Sequence, residues 1–114
     1  MTPDTDIGPA ICAELMADYF HNLVNMFFKI LPMKEKSESS IGVYMESMLS
    51  EMLGGQHLVT AIREDAMYAS LLFILQSLID NPDWSAKRVK REVFRAISIC
   101  NKLSSCFREV SEHE

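Results

Sequence analysis

The sequence predicts an all-α fold, a compact bundle of about four helices (three long, one short) with antiparallel neighbours. Three observations carry that expectation. Apolar residues recur at helical spacing along most of the chain. Glycine and proline number only four each, which favours long helices over many turns. No stretch alternates apolar and polar residues as a half-buried strand would, and no Asn-Gly or Asp-Gly pair marks a hairpin. A chain of 114 residues is one domain by size. It can bury about two-thirds of the surface its unfolded chain exposes. The domain is expected over 9–110, with tails at 1–8 and 111–114.

Pro9 suits the first position of a helix, where a missing N–H costs nothing. From there Glu14, Asp18, His21, Asn22, Asn25 and Lys29 recur at steps of three or four and form one narrow polar stripe. The remaining positions are apolar, so a long, widely buried first helix is expected, stopped by Pro32. Met33 to Ser39 is charged and serine-rich and reads as a linker, with Ser39 or Ser40 as the next cap. Ile41, Tyr44, Met45, Met48, Leu49, Met52 and Leu53 keep the i, i+3, i+4, i+7 pattern of a second, short helix. Gly54-Gly55 is expected to end it.

His57 to Asp80 contains the most apolar run, Met67 to Ile79. Leu71 to Leu75 are consecutive apolar residues, so this helix reads as apolar nearly all round and central, with Leu72, Leu75 and Leu78 in the core. It is too short for a membrane span of about 20 apolar residues. A kink or restart is expected near Arg63 to Asp65, and Asn81-Pro82 breaks the helix. Asp83 or Ser85 can cap a last helix running to about Val110. Val89, Val93, Ala96, Ile97, Cys100, Leu103, Phe107 and Val110 fall on one side of its wheel, and Lys87, Arg88, Arg91, Arg95 and Lys102 on the other.

The net charge of −5 is unevenly spread: Met1 to Ala86 carries −8 and Lys87 to Glu114 carries +3. The three cysteines, Cys12, Cys100 and Cys106, are odd in number and lack CxxC spacing, which argues against a disulfide framework and for a reducing compartment. The N-terminus is acidic where a signal peptide would be basic. A cytoplasmic location is therefore expected, with no membrane partner.

No motif fixes a chemistry. Glu14, Asp18 and His21 share one helix face, a spacing that can hold a metal only with matching ligands on other helices; they read as a solvated stripe. Gly54-Gly55 lacks the strand and lysine of a phosphate loop. The cysteines read as small buried hydrophobes. Arg108 and His113 form R-x4-H, which resembles the motif of small helical HEPN ribonucleases. That resemblance implies an arginine and a histidine attending a scissile phosphate, and it covers those two residues alone. No catalytic, cofactor-binding or metal-binding residue is assigned.

Two surfaces remain as binding candidates. Eight methionines are many for this length, and Met45, Met48 and Met52 cluster beside Tyr44 on the second helix. Flexible, polarizable methionine either fills a core or suits a surface accepting varied partners. Tyr44, Met45, Met48 and Met52 are taken as a candidate partner or homodimer groove. Lys87, Arg91, Phe94 and Arg95 on the last helix form the second candidate, for an acidic protein rather than nucleic acid. Like charges so close repel by a few tenths of a kcal/mol per pair. Glu92 is placed off their arc. The function expected is a small, non-enzymatic, methionine-rich and acidic helical module that binds a protein, as chaperones, adaptors, inhibitors and immunity proteins do. The alternatives are a nucleic-acid-associated regulator using the basic face and a small helical ribonuclease or hydrolase.

Overall fold

A computed structural model describes residues 9–58 and 66–112, with side chains for 14–56 and 66–107. Four helices account for nearly all of them: α1 (Pro9–Glu35), α2 (Ile41–Leu58), α3 (Ala66–Asp80) and α4 (Ala86–Glu112). There is no strand among the described residues. The expected break near Arg63 to Asp65, the tail at 1–8 and His113 lie outside the described residues. The last helix runs past Val110 to Glu112, into the segment expected to be a tail.

Each helix packs on two neighbours. α1 packs along α2 and α4, and α3 also along α2 and α4, while the diagonal pair α1/α3 meets through the side chains of Tyr19, Phe20 and Tyr68. Chain direction follows from which residues meet. The Tyr44 hydroxyl reaches the Met26 carbonyl, Tyr68 reaches Met52, and Ser104 reaches Ala17. Low numbers on one helix meet high numbers on the next, so sequential neighbours are antiparallel and the bundle runs up-down-up-down. The α1/α4 interface is the most extensive.

The core is one cluster drawn from all four helices. Phe20, Leu23, Phe27 and Ile30 come from α1; Met45, Met48 and Met52 from α2; Tyr68, Leu71, Ile74, Leu75 and Leu78 from α3. α4 supplies Val89, Val93, Ala96, Ile97, Cys100 and Leu103, the side expected from its wheel. On α3 the expectation is corrected at Leu72, which is half-buried at the edge of the core while Leu71 is fully inside. Nor is α3 buried all round: it faces solvent with Phe73 at 72% exposure. A helix with two packed neighbours and an open diagonal side has one wet face, whatever its composition.

Three boundaries also differ from expectation. α1 passes Pro32 and ends a turn later, because the proline's own φ is helical and its carbonyl still accepts from the Lys36 N–H at 3.0 Å. The end itself is a Schellman motif. The Glu38 N–H donates to the Met33 carbonyl and the Ser37 N–H to that of Lys34, with Ser37 left-handed at φ 53°. α2 passes through Gly54-Gly55 to Leu58, with no positive φ at either glycine. At 18 residues it is longer than the 15 described residues of α3. Gly55 has a packing reason instead: a Cβ there would lie 3.3 Å from the Tyr19 hydroxyl. Elsewhere the expected punctuation holds. α3 ends at Asn81-Pro82, and Ser85 Oγ caps α4 by accepting the Arg88 N–H at 3.2 Å.

A pair of tyrosines, Tyr68 buried and Tyr19 half-buried, ties three helices at the opposite end from the 36–40 and 81–85 loops. The Tyr68 hydroxyl donates to the Met52 carbonyl at 2.8 Å and lies 3.0 Å from the Tyr19 hydroxyl. Tyr68 has only one proton to give, so Tyr19 is the donor of the second bond. Burial raises both hydroxyls above the ordinary tyrosine pKa of 10.0.

Candidate functional site

The methionine candidate does not lie on the surface. Met45, Met48 and Met52 point into the core, with Met48 and Met52 essentially inaccessible. Tyr44 is half-buried, and its hydroxyl is used on the Met26 carbonyl at 2.9 Å. The apolar side of α2 is the side that meets α1 and α3. Its outer face carries Val43, Glu46, Ser47, Ser50, Glu51 and Leu53. The expectation of an open methionine groove is therefore corrected: an unbroken a/d-type pattern on a bundle helix marks what is packed.

The α4 candidate is on the surface. Lys87, Lys90, Arg91, Phe94, Arg95 and Lys102 are all exposed. Phe94, 44% exposed, meets a residue the sequence reading did not single out: Phe28 of α1, 41% exposed. Their ring centroids are 5.9 Å apart and the planes cross at 82°, an edge-to-face pair at the outer α1/α4 seam. A signal for Phe28 existed. On a helical wheel it falls about 20° from His21, at the border of the polar stripe. It was hidden by being one of many apolar residues on α1.

One turn further along both helices, Leu31, Pro32, Lys34 and Glu35 of α1 and Lys87 and Lys90 of α4 line a shallow depression of about 420 Å³. Aromatic pair and depression thus form one strip with an apolar floor and a mainly cationic edge, in which Glu35 also stands. Its electrostatics are not uniform. Arg95 is paired at 2.7 Å with Glu92, which stands half-buried beside the basic arc. Arg88 lies 4.1 Å over the Trp84 ring. Lys87, Lys90 and Arg91 have no acidic side chain within ion-pair distance among the described residues. Lys87 and Arg88 also stand in the first turn of α4, where the helix dipole disfavours cations.

Phe73 is more exposed than either seam phenylalanine, but among the described residues it stands without a ring partner or a charge beside it on α3, and single exposed apolar residues are ordinary. Glu14, Asp18 and His21 are exposed, and no three His, Cys, Asp or Glu side chains among the described residues are placed to hold a metal. Cys100 is buried, and desolvation pushes its thiol up to about 12, the opposite of an activated nucleophile. Cys106 is exposed. The side chains of Arg108 and His113, the R-x4-H pair, lie outside the described ones. No helix among the described residues is long and apolar enough to cross a membrane.

The chain is, by class, an up-and-down four-helix bundle. No protein-family profile, curated protein or solved structure matches it.

Proposed function

We propose that this chain is a non-enzymatic protein-interaction module whose α1/α4 seam docks an acidic partner protein. The observation that carries the reading is the Phe28–Phe94 pair, two aromatic rings left half in water beside Lys87, Lys90 and Arg91. A partially exposed aromatic pair is an anchor for an apolar side chain of a partner. The unpaired cations set the sign of what surrounds that side chain and speed its encounter. An amphipathic helix or strand with one apolar residue ringed by Asp and Glu satisfies both. The reading favours protein over nucleic acid because the whole chain carries −5, and that charge repels a polyanion at longer range than the seam attracts it.

A benzophenone side chain replacing Phe94 tests this directly in the native host. The expected product is a covalent adduct with a protein whose linked peptide is rich in Asp and Glu. The adduct should disappear on Arg91→Glu and stay absent when the probe replaces Phe73. An adduct with nucleic acid, or equal capture from both positions, would overturn the assignment.

A further inference from the structure

The four helices leave a cavity of about 270 Å³ at the end of the bundle where α1 and α3 finish and α2 and α4 begin. Its wall is apolar: Ile30, Ile41, Met45, Leu78 and Val89 come from all four helices. Close-packed interiors hold few voids larger than a water molecule. The loops that close this end, residues 36–40 and 81–85, are both described, so the space is not left by residues outside the structure. An engineered apolar cavity of about 150 Å³ takes up benzene, which sets the scale for a ligand here at about eight carbons.

The mouth carries a positioned cation. Lys34 of α1 donates to the Pro82 carbonyl in the α3–α4 turn at 2.9 Å, which holds its ammonium across the opening. That bond uses one of three N–H donors. Glu38 also lines the mouth, but it forms no ion pair with Lys34. Asn81, which also lines the cavity, donates its side-chain amide to the Ser77 carbonyl at 2.8 Å. Among the described residues that line the chamber Lys34 is the one cation, and it selects the ligand's polar end.

We infer that this cavity binds a small amphiphile, an aliphatic chain of about eight carbons ending in a carboxylate. The chain fills the space between Ile30, Met45, Leu78 and Val89. The carboxylate accepts from Lys34. The site lies at the bundle end; Lys34 also lines the depression at the α1/α4 seam, but the chamber itself is a different one, between the ends of the four helices.

Calorimetric titration of octanoate into the full chain is the test, with 1-octanol and acetate as probes of each half of the ligand. Octanoate should bind saturably at one site, and acetate should not bind. Octanol should bind about two- to fivefold more weakly than octanoate, the scale of one exposed ion pair. Lys34→Gln should bring octanoate to the level of octanol. Gly42 lines the cavity and a Cβ there meets nothing within 4 Å. Gly42→Ala should therefore fold and still bind, whereas Gly42→Leu should grow into the space and weaken binding more than tenfold. With methyl-labelled methionine, the Met45 resonance should shift on binding and the Met52 resonance, at the other end of α2, should not. Absence of saturable octanoate binding, binding that survives Gly42→Leu, or equal binding of octanol and octanoate would overturn the inference.

Discussion

Removing one oxygen atom, by Tyr68→Phe, should destabilise the bundle more than removing its partner's oxygen, by Tyr19→Phe. The Tyr68 hydroxyl makes two bonds, donating to Met52 at 2.8 Å and accepting from Tyr19 at 3.0 Å, and the Tyr68 side chain is fully buried. A neutral hydrogen bond contributes about 0.5–1.5 kcal/mol net, and a buried group left unsatisfied costs about 1–3 kcal/mol. Tyr68→Phe breaks both bonds and strands the Tyr19 proton, so a loss of about 1–3 kcal/mol is expected. Tyr19→Phe breaks one bond and leaves Tyr68 on Met52, so about 0.5–1.5 kcal/mol is expected. The two should not add, since the double variant no longer holds a stranded Tyr19 proton; a coupling of about 0.5–1 kcal/mol follows. Urea unfolding followed by circular dichroism at neutral pH reads all three. Burial also holds both folded-state pKa values above 10.0, so their contribution is complete below pH 10 and is lost as pH rises beyond it. Tyr68→Phe should make that alkaline decline shallower. A Tyr19→Phe loss equal to or larger than that of Tyr68→Phe, or strict additivity, would refute the directed chain Tyr19 to Tyr68 to Met52.

Leu75 is fully buried on α3 and Leu72 is half-buried, so Leu75→Ala should cost about 2–5 kcal/mol and Leu72→Ala clearly less, by the same urea assay. Ser37→Gly should raise stability by about 0.5–1 kcal/mol, because the left-handed cap at φ 53° favours a residue without Cβ; a loss would show that the serine side chain stabilises the cap. Of the two cysteines with described side chains, Cys106 should alkylate rapidly at pH 8 in the native protein and Cys100 only on unfolding, as peptide mass spectrometry reads directly. Because burial holds the folded Cys100 thiol near 12 against an ordinary 9.0, its contribution to stability is complete below pH 9 and declines between about 9 and 12, a fall that Cys100→Ala should flatten.

What could be read from the residues and what could not divides along physical lines. α4 was legible because its apolar and charged residues segregate cleanly: Val89, Val93, Ala96, Ile97, Cys100 and Leu103 are buried and Lys87, Arg91 and Arg95 exposed. Ser85 and Asn81-Pro82 act locally, so their effect needs no tertiary knowledge. Pro32 was misjudged for its place in the last turn, and Gly54-Gly55 because a tertiary contact decided. Gly55 gives room to a tyrosine thirty-six positions away, and Pro32 falls so close to the helix end that little remains to break. On α3 five consecutive apolar residues leave the facing undetermined; packing along α2 and α4 turns Leu71 inward and Phe73 outward. The methionine pattern was legible as a face, but not as the inner one. Half of the α4 surface, its cations and Phe94, was readable. Phe28 was not, because pairing with Phe94 depends on the α1/α4 register.

The central claim is that the α1/α4 seam recognises an acidic protein through Phe28 and Phe94. The measurement that bears on it most directly is the affinity of the partner cross-linked at position 94, purified and titrated against wild type and the Phe28→Ser/Phe94→Ser variant at low and physiological salt. The account predicts at least a tenfold loss in the variant, with helicity unchanged since both rings stand outside the core. It also predicts weaker wild-type binding as salt screens Lys87, Lys90 and Arg91 over about 8–10 Å. Unchanged affinity in the folded double variant, or affinity indifferent to salt, would contradict it.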